Sequence, residues 1–176
     1  MNRLWLFLPL AVFSLLAGAA AYQLLQPRDE TVRSALIGEP IPDFSLPGAL
    51  PGRAAVDEAA FRDGQPKLLS LWASWCLPCV AEAPQMEQLR DEGATIVGVA
   101  IRDTPQDIER FLRLHGDPYA ALVADDQSRL PLAMGSSGLP ETFVIDGAGV
   151  VRYQHIGDIR PEHVPRLLAE LRKAGR

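Results

Sequence analysis

The sequence predicts an α/β domain, a mixed β-sheet with flanking helices, preceded by one N-terminal transmembrane helix. Residues 4–25 form an uncharged apolar run long enough to span a bilayer. Between residues 68 and 115, buried strand-like runs alternate with helical patterns, which is typical of a sheet covered by helices. Turn-forming residues at 146–149 then separate two strand-like runs, which indicates an antiparallel hairpin.

Three parts of the chain can be distinguished. Residues 1–26 are predicted to be a membrane anchor or a signal peptide, residues 27–37 a polar tether, and residues 38–176 the folded domain. As a helix, the apolar run would span roughly 33 Å, which matches a bilayer core. Small residues at 17–21 also fit a signal-peptidase site, so a cleaved signal is the alternative. Arginines on both sides of the run leave its orientation open.

Composition excludes some classes of function. The 176 residues carry a net charge of −5 and are 48% hydrophobic, with only two cysteines. The absence of a basic patch or a run of Lys and Arg argues against nucleic-acid binding. Two cysteines cannot build a disulfide framework, so a hydrophobic core must hold the fold together.

The elements of the domain can be assigned in chain order. Prolines within residues 38–47 favour an extended edge segment over a helix. Thr104 and Pro105 are typical of a helix start, and Gly116 follows the end of that helix. The predicted strands are residues 68–72, 94–101, 120–124, 138–146 and 150–156. The predicted helical segments are residues 57–62, 79–90, 105–115, 128–134 with an interruption at Pro131, and 161–173.

The two cysteines, Cys76 and Cys79, lie between the first buried strand and the helix that follows it. At a helix start the first backbone N–H groups are unpaired and the macrodipole is positive, so a thiolate on Cys76 is stabilised and its pKa falls. Cys79 lies one turn further along, close enough to form a disulfide with Cys76. Pro78 suits the first turn of a helix. The arrangement predicts a redox-active dithiol in which Cys76 attacks and Cys79 resolves.

Three other uses of a Cys-x-x-Cys pair stay open at this point. Zinc needs four ligands, but there is no second cysteine pair, and His115, His155 and His163 lack ligand-like spacing. A structural disulfide that closes so short a loop would remove little chain entropy. A copper-binding thiol module is the non-enzymatic alternative. For redox chemistry neither metal nor cofactor is predicted, because the two sulfurs carry the electrons.

Several motifs carry a resemblance to a known family. A Trp-Cys-x-Pro-Cys turn between a strand and a helix, with Pro84 beyond it and Pro140 before a hairpin, resembles the thioredoxin fold. From Gly38 onward the chain resembles the DsbE/CcmG family, the thiol-disulfide oxidoreductases of cytochrome c maturation. The matching segments are residues 38–44, 72–76, 81–82, 138–146 and 152–158.

The resemblance implies site residues and partners. The Leu139–Pro140 bond is expected to be cis and to lie against the disulfide, where Leu139 can pair with an extended substrate. The implied substrate-binding residues are Trp75, Leu139, Pro140 and Glu141. The implied substrate is the haem-binding cysteines of apocytochrome c or a maturation partner, and the electron donor is a DsbD-type membrane reductase. A single-pass anchor would hold the domain on the periplasmic side of the inner membrane.

Two carboxylates are candidates for tuning the dithiol. Thioredoxins carry an acid where this chain has Ser70, but Glu82 lies three residues after Cys79 on the same helix face. We expect Glu82 to accept the proton of Cys79, and Glu141 to bring a second carboxylate near the pair. Negative charge disfavours thiolate and lowers the reduction potential, which predicts a reductant. The alternatives are a solvated helix residue for Glu82 and a strand-end surface residue for Glu141.

Departures from the family pattern keep related functions open. Ser137 stands where the family tends to have an aromatic residue, and Leu77-Pro78 is closer to other branches, so a TlpA- or ResA-like protein is an alternative. An oxidase or isomerase would use the same fold at a higher potential. Residues 42–44 suggest a peroxidase, but the Thr and Arg expected near its cysteine are absent from residues 72–79.

Overall fold

The computed structural model describes residues 12–15, 18 and 36–176, of which 36–176 lie within one compact unit. Residues 12–15 and 18 are helical. Within these described ranges no helix is both long and apolar enough to cross a membrane. The predicted anchor and tether lie almost wholly outside the described residues and therefore stay predictions.

A five-stranded mixed sheet forms the centre of the domain, as predicted. Its strands lie in the order β5–β4–β3–β6–β7, in which β3, β4 and β5 are parallel and β6 and β7 are antiparallel to their neighbours. Leu69 of β3 pairs with Val97 on one side and Phe143 on the other. The strands are β3 (Lys67–Trp72), β4 (Ile96–Ile101), β5 (Ala121–Asp125), β6 (Glu141–Ile145) and β7 (Val151–Ile156). A separate two-stranded sheet joins β1 (Ser45–Leu46) to β2 (Val56–Asp57).

Within residues 36–176, four α-helices flank the sheet, and a 3₁₀ turn follows β2 at Glu58–Phe61. The helices are α1 (Leu77–Asp91), α2 (Pro105–His115), α3 (Arg129–Ala133) and α4 (Val164–Ala174). The predicted cap of α2 is confirmed, because the Thr104 hydroxyl accepts a 3.2 Å hydrogen bond from the Asp107 N–H. The predicted interruption at Pro131 is wrong. Pro131 lies in the first turn of α3, where a backbone N–H has no helical partner to lose.

Alternation along β3 directs its side chains into two hydrophobic clusters. Leu68 and Trp72 belong to the cluster that also contains both cysteines and the buried side chains of α1, α2 and α4. Leu69 and Leu71 belong to the other cluster, which includes Leu130 of α3 and residues that precede β3. The sheet is thus buried on both faces, and the dithiol lies on the face covered by α1.

The predicted hairpin between β6 and β7 is confirmed. The Asp146 carboxylate accepts hydrogen bonds of 2.9 Å from the N–H groups of Ala148 and Val150, and thereby organises the turn. Gly149 adopts a φ of 83°, a conformation that glycine reaches without steric cost. The hairpin fixes the register of β6, the strand that begins directly after Pro140.

Candidate active site

The two cysteines form a disulfide at the start of α1, with their Cα atoms 5.2 Å apart. Cys76 occupies the N-cap, and its sulfur accepts a 3.3 Å hydrogen bond from the Cys79 N–H. Cys76 is 5% exposed and Cys79 is 2% exposed, and only Cys76 lines the groove at the surface. Cys76 is therefore the sulfur that an incoming thiol can reach.

A surface groove of about 710 Å³ opens beside Cys76. Three large apolar side chains along it are mostly solvent-exposed: Trp75 at 62%, Leu77 at 80% and Leu132 at 83%. Of the described residues that line the groove, Arg102 alone carries a charge. The groove therefore combines apolar walls, one cation and one sulfur.

Hydrogen bonds tie the turn before Cys76 to the segment that follows β4. The Trp75 indole N–H donates to the Arg102 carbonyl oxygen at 3.1 Å. The Asp103 carboxylate accepts from both the N–H and the hydroxyl of Ser74, at 2.5 and 2.8 Å. Arg102 has a φ of 48°, which is uncommon for a residue other than glycine. These contacts hold Trp75 at the edge of the groove.

The Leu139–Pro140 peptide bond is cis, as the resemblance implied. Leu139 lines the same groove as Cys76, so the two residues face one common space. The Pro140 carbonyl accepts a 3.0 Å hydrogen bond from the Gly157 N–H, which secures the chain where it enters β6.

Glu82 is buried in the interior of α1 and is only 2% exposed, so the alternative of a solvated helix residue is wrong. Its Oε2 accepts a 2.9 Å hydrogen bond from the Ile159 N–H. Burial raises the pKa of Glu82 to about 8; the Ile159 hydrogen bond opposes this shift, and the negative charge of Asp158 adds to it. Glu82 and Cys79 line one small buried cavity of about 10 Å³, together with Trp72 and other residues.

Glu141 is also fully buried, so the alternative of a surface residue at the strand end is wrong. One carboxylate oxygen accepts from the Gln154 side-chain amide, and the other accepts from the Ser137 N–H at 3.2 Å. Burial raises the pKa of Glu141, although these hydrogen bonds oppose the shift. Alternation along β6 places Glu141 with Phe143, on the sheet face away from α1. Glu141 thus contacts the loop at Ser137, which borders the groove, but does not line the groove itself.

The amino-acid sequence of this chain is similar to those of known thiol:disulfide interchange proteins. A model of the Redoxin family matches residues 36–171. The thiol:disulfide interchange protein DsbE of Vibrio cholerae is 39% identical over 97% of this chain and 95% of its own length. This chain belongs to the DsbE family. As in that family, it is a thiol:disulfide oxidoreductase.

Two further relatives agree with this assignment to the DsbE family. The thiol:disulfide interchange protein HelX of Rhodobacter capsulatus is 36% identical to this chain, and the alignment covers 94% of each of the two proteins. A crystal structure described as a DsbE protein from Chlorobium tepidum has a TM-score of 0.69 and 30% identity, over 80% of this chain and 98% of that one. The domain accordingly has the thioredoxin-like fold of the DsbE family.

The structure groups five of the seven predicted site residues into two sets, whereas Pro140 and Glu141 line neither space. Trp75, Cys76 and Leu139 border the groove, whereas Cys79 and Glu82 border the buried cavity. Within the part of the chain that the structure describes, no three His, Cys, Asp or Glu side chains come together as a metal site.

Two residues of the groove, Arg102 and Leu132, were not predicted from the sequence. Arg102 directly follows the carboxyl end of β4, the edge where parallel sheets bind ligands, and that position was an available signal. The five-residue helix that carries Leu132 is too short for a periodic pattern to predict its exposed face.

Proposed function

We propose that this DsbE-family protein is a membrane-anchored periplasmic reductant in cytochrome c biogenesis. Its substrate would be the haem-binding cysteines of apocytochrome c or a maturation partner, and a DsbD-type membrane reductase would supply its electrons. The proposal draws on the family resemblance, on the apolar residues 4–25 and on the geometry of the site. The observation that carries it is the division between the two sulfurs: Cys76 borders the groove, and Cys79 lines a buried cavity that Glu82 also lines.

The proposed cycle exchanges one disulfide for another. The Cys76 thiolate attacks a substrate disulfide, which forms a mixed disulfide and releases one substrate sulfur as a thiolate that takes up a proton. Cys79 then loses its proton and attacks the Cys76 sulfur, which releases the second substrate sulfur. The substrate gains two electrons and two protons, and the Cys76–Cys79 disulfide is formed.

Glu82 is the proposed acceptor of the Cys79 proton. With a pKa of about 8, roughly one Glu82 side chain in ten is ionised at pH 7, and that carboxylate is a much stronger base than one with an ordinary pKa. The cavity of about 10 Å³ that both residues line matches the space of roughly one water molecule, which could relay the proton. The buried Trp72 indole N–H, which also borders this cavity, has no partner among the described residues and could donate to that water.

An extended polypeptide is the proposed occupant of the groove. Its backbone would run beside Leu139 as an added strand, with its cysteine opposite Cys76. Its apolar side chains would cover Trp75, Leu77 and Leu132, whose exposure is otherwise unfavourable in water. Glu141 would support this binding indirectly, because it holds the Ser137 N–H in the loop that borders the groove.

Trapping of the substrate tests this proposal. A Cys79→Ala variant of the full chain, expressed in a bacterium that makes c-type cytochromes, cannot resolve the mixed disulfide and should accumulate it on Cys76. We expect mass spectrometry to identify apocytochrome c or a cytochrome maturation protein in the adduct. The matched Cys76→Ala variant should trap neither. Recovery of unrelated secreted proteins alone would instead support a general oxidase or isomerase.

A further inference from the structure

We propose that Arg102 selects substrates that carry an acidic side chain close to the reactive cysteine. The occupant of the groove would then be an extended polypeptide segment with apolar residues around its cysteine and an Asp or Glu within a few positions of it. This inference rests on the proposed function and adds a substrate class to it.

The charge distribution supports a specific role for Arg102. Among the described residues that line the groove, Arg102 is the single cation, and the whole chain has a net charge of −5. The exposed Arg102 side chain has no hydrogen bond or ion pair with any described residue. Five of the described arginines form ion pairs with acidic side chains, namely Arg53, Arg90, Arg110, Arg152 and Arg160. Arg113 has no ion pair with a described residue either, but unlike Arg102 it does not line the groove.

Backbone contacts hold Arg102 in place. Its N–H donates to the Asp125 carbonyl at 3.3 Å, and its own carbonyl accepts from the Trp75 indole at 3.1 Å. Its φ of 48° is a conformation that non-glycine residues keep mainly where the surrounding structure enforces it. The guanidinium therefore extends from a fixed backbone position beside the active-site tryptophan.

The chemistry of the groove favours an acidic polypeptide over other occupants. A guanidinium pairs with a carboxylate through two parallel hydrogen bonds, and apolar surroundings strengthen that pair. A small free anion would leave Trp75, Leu77 and Leu132 exposed, so it would not account for the apolar walls. A peptide that combines apolar side chains with one carboxylate satisfies both features.

Competing peptide substrates provide the test. Each peptide has one internal disulfide, with apolar residues beside the cysteine that is attacked. A single Glu, Gln or Lys is placed at one of the three positions on either side of that cysteine, and each position is tested in turn. The rate constant for reduction is measured with the reduced full chain as wild type, Arg102→Gln, Arg102→Lys and Arg113→Gln. Arg113 is the matched control, because it is an exposed arginine that does not line the groove.

The readout is the rate constant for the Glu peptide divided by that for the Gln peptide, at the position where this ratio is largest in the wild type. A change in the reactivity of Cys76 affects both rate constants equally and therefore cancels. We expect a ratio of about five in the wild type, the size of one partly exposed ion pair. The ratio should fall to about one in Arg102→Gln, stay above one but below the wild-type value in Arg102→Lys, persist in Arg113→Gln, and decrease at high salt.

Several results would overturn the inference. A wild-type ratio near one at every position, a preference for Lys, or a ratio that survives in Arg102→Gln would each exclude selection by Arg102. An equal loss in Arg113→Gln would assign the preference to overall charge. If the wild type reduces all peptides at equal rates, the Arg102 inference fails alone. If it reduces none of them, the proposed function fails and this inference fails with it.

Discussion

Glu82 lies three residues beyond Cys79 on α1, and the two side chains line one buried cavity. Cys76, at the N-cap of the same helix, borders the open groove instead. One helix thus presents the first sulfur to a substrate and the second sulfur to an acid. In the proposed cycle, this arrangement would separate the attack on the substrate from the proton transfer of the resolving step.

The reduction potential should depend on Glu82. Its ionised form disfavours a nearby thiolate, so Glu82→Gln should make the potential less negative. Because the pKa of Glu82 is about 8, the difference should be small at pH 6 and reach about 30 mV at pH 9. Equilibration of the wild type and of Glu82→Gln with glutathione at several pH values measures this difference in reduction potential. Glu109→Gln, at an exposed position on α2, is the control and should leave the potential unchanged.

Stability should depend on pH through the same carboxyl group. Folding raises the pKa of Glu82 from 4.5 to about 8, so the folded state holds this proton more tightly than the unfolded state. The contribution of protonated Glu82 to the free energy of unfolding is therefore fully present below about pH 4.5 and is lost progressively as the pH rises through about 8. Glu82→Gln should not show this loss.

The free energy of unfolding of Glu82→Gln, relative to that of the wild type, should consequently rise by roughly 3 to 5 kcal/mol between pH 4 and pH 9. Urea denaturation of the oxidised proteins measures this difference. A constant difference across the pH range would contradict the burial of an ionisable carboxyl group at this position.

The strand β3 and helix α1 could be predicted from the sequence, because a continuous apolar run and the Pro78 signal are local features. The burial of Glu82 could not be predicted in this way. It depends on the Ile159 N–H, 77 residues away, and on the residues that close the cavity around it. Similarly, the position of Glu141 depends on its pairing with Gln154 of β7. Local patterns therefore located the dithiol but not the environment of its acids.

Glu141 should have a smaller effect on the potential than Glu82. Glu141→Gln should shift the potential in the same, less negative direction, but by less than Glu82→Gln, because its carboxylate lies on the other face of the sheet. Glu141→Ala should in addition destabilise the protein by about 1 to 3 kcal/mol, since it removes the buried carboxylate that accepts hydrogen bonds from the Gln154 amide and the Ser137 N–H. A larger potential shift at Glu141 than at Glu82 would reverse this assignment.

Trp75 should matter for polypeptide substrates but not for small thiols. Trp75→Ala removes an exposed ring at the edge of the groove and should lower kcat/KM for a disulfide peptide at least fivefold, mainly through KM. The rate of reduction by dithiothreitol should change little. Leu114→Ala is the control, because Leu114 is 67% exposed and lies outside the groove. An equal loss in both variants would remove Trp75 from the binding site.

Selective alkylation of the reduced protein tests the division between the two sulfurs most directly. The reduced full chain is treated with limiting iodoacetamide between pH 5 and pH 8, and the modified cysteine is identified by mass spectrometry. We predict modification at Cys76, with Cys79 unmodified until the protein is unfolded. Equal modification of both cysteines, or faster modification of Cys79, would contradict the account.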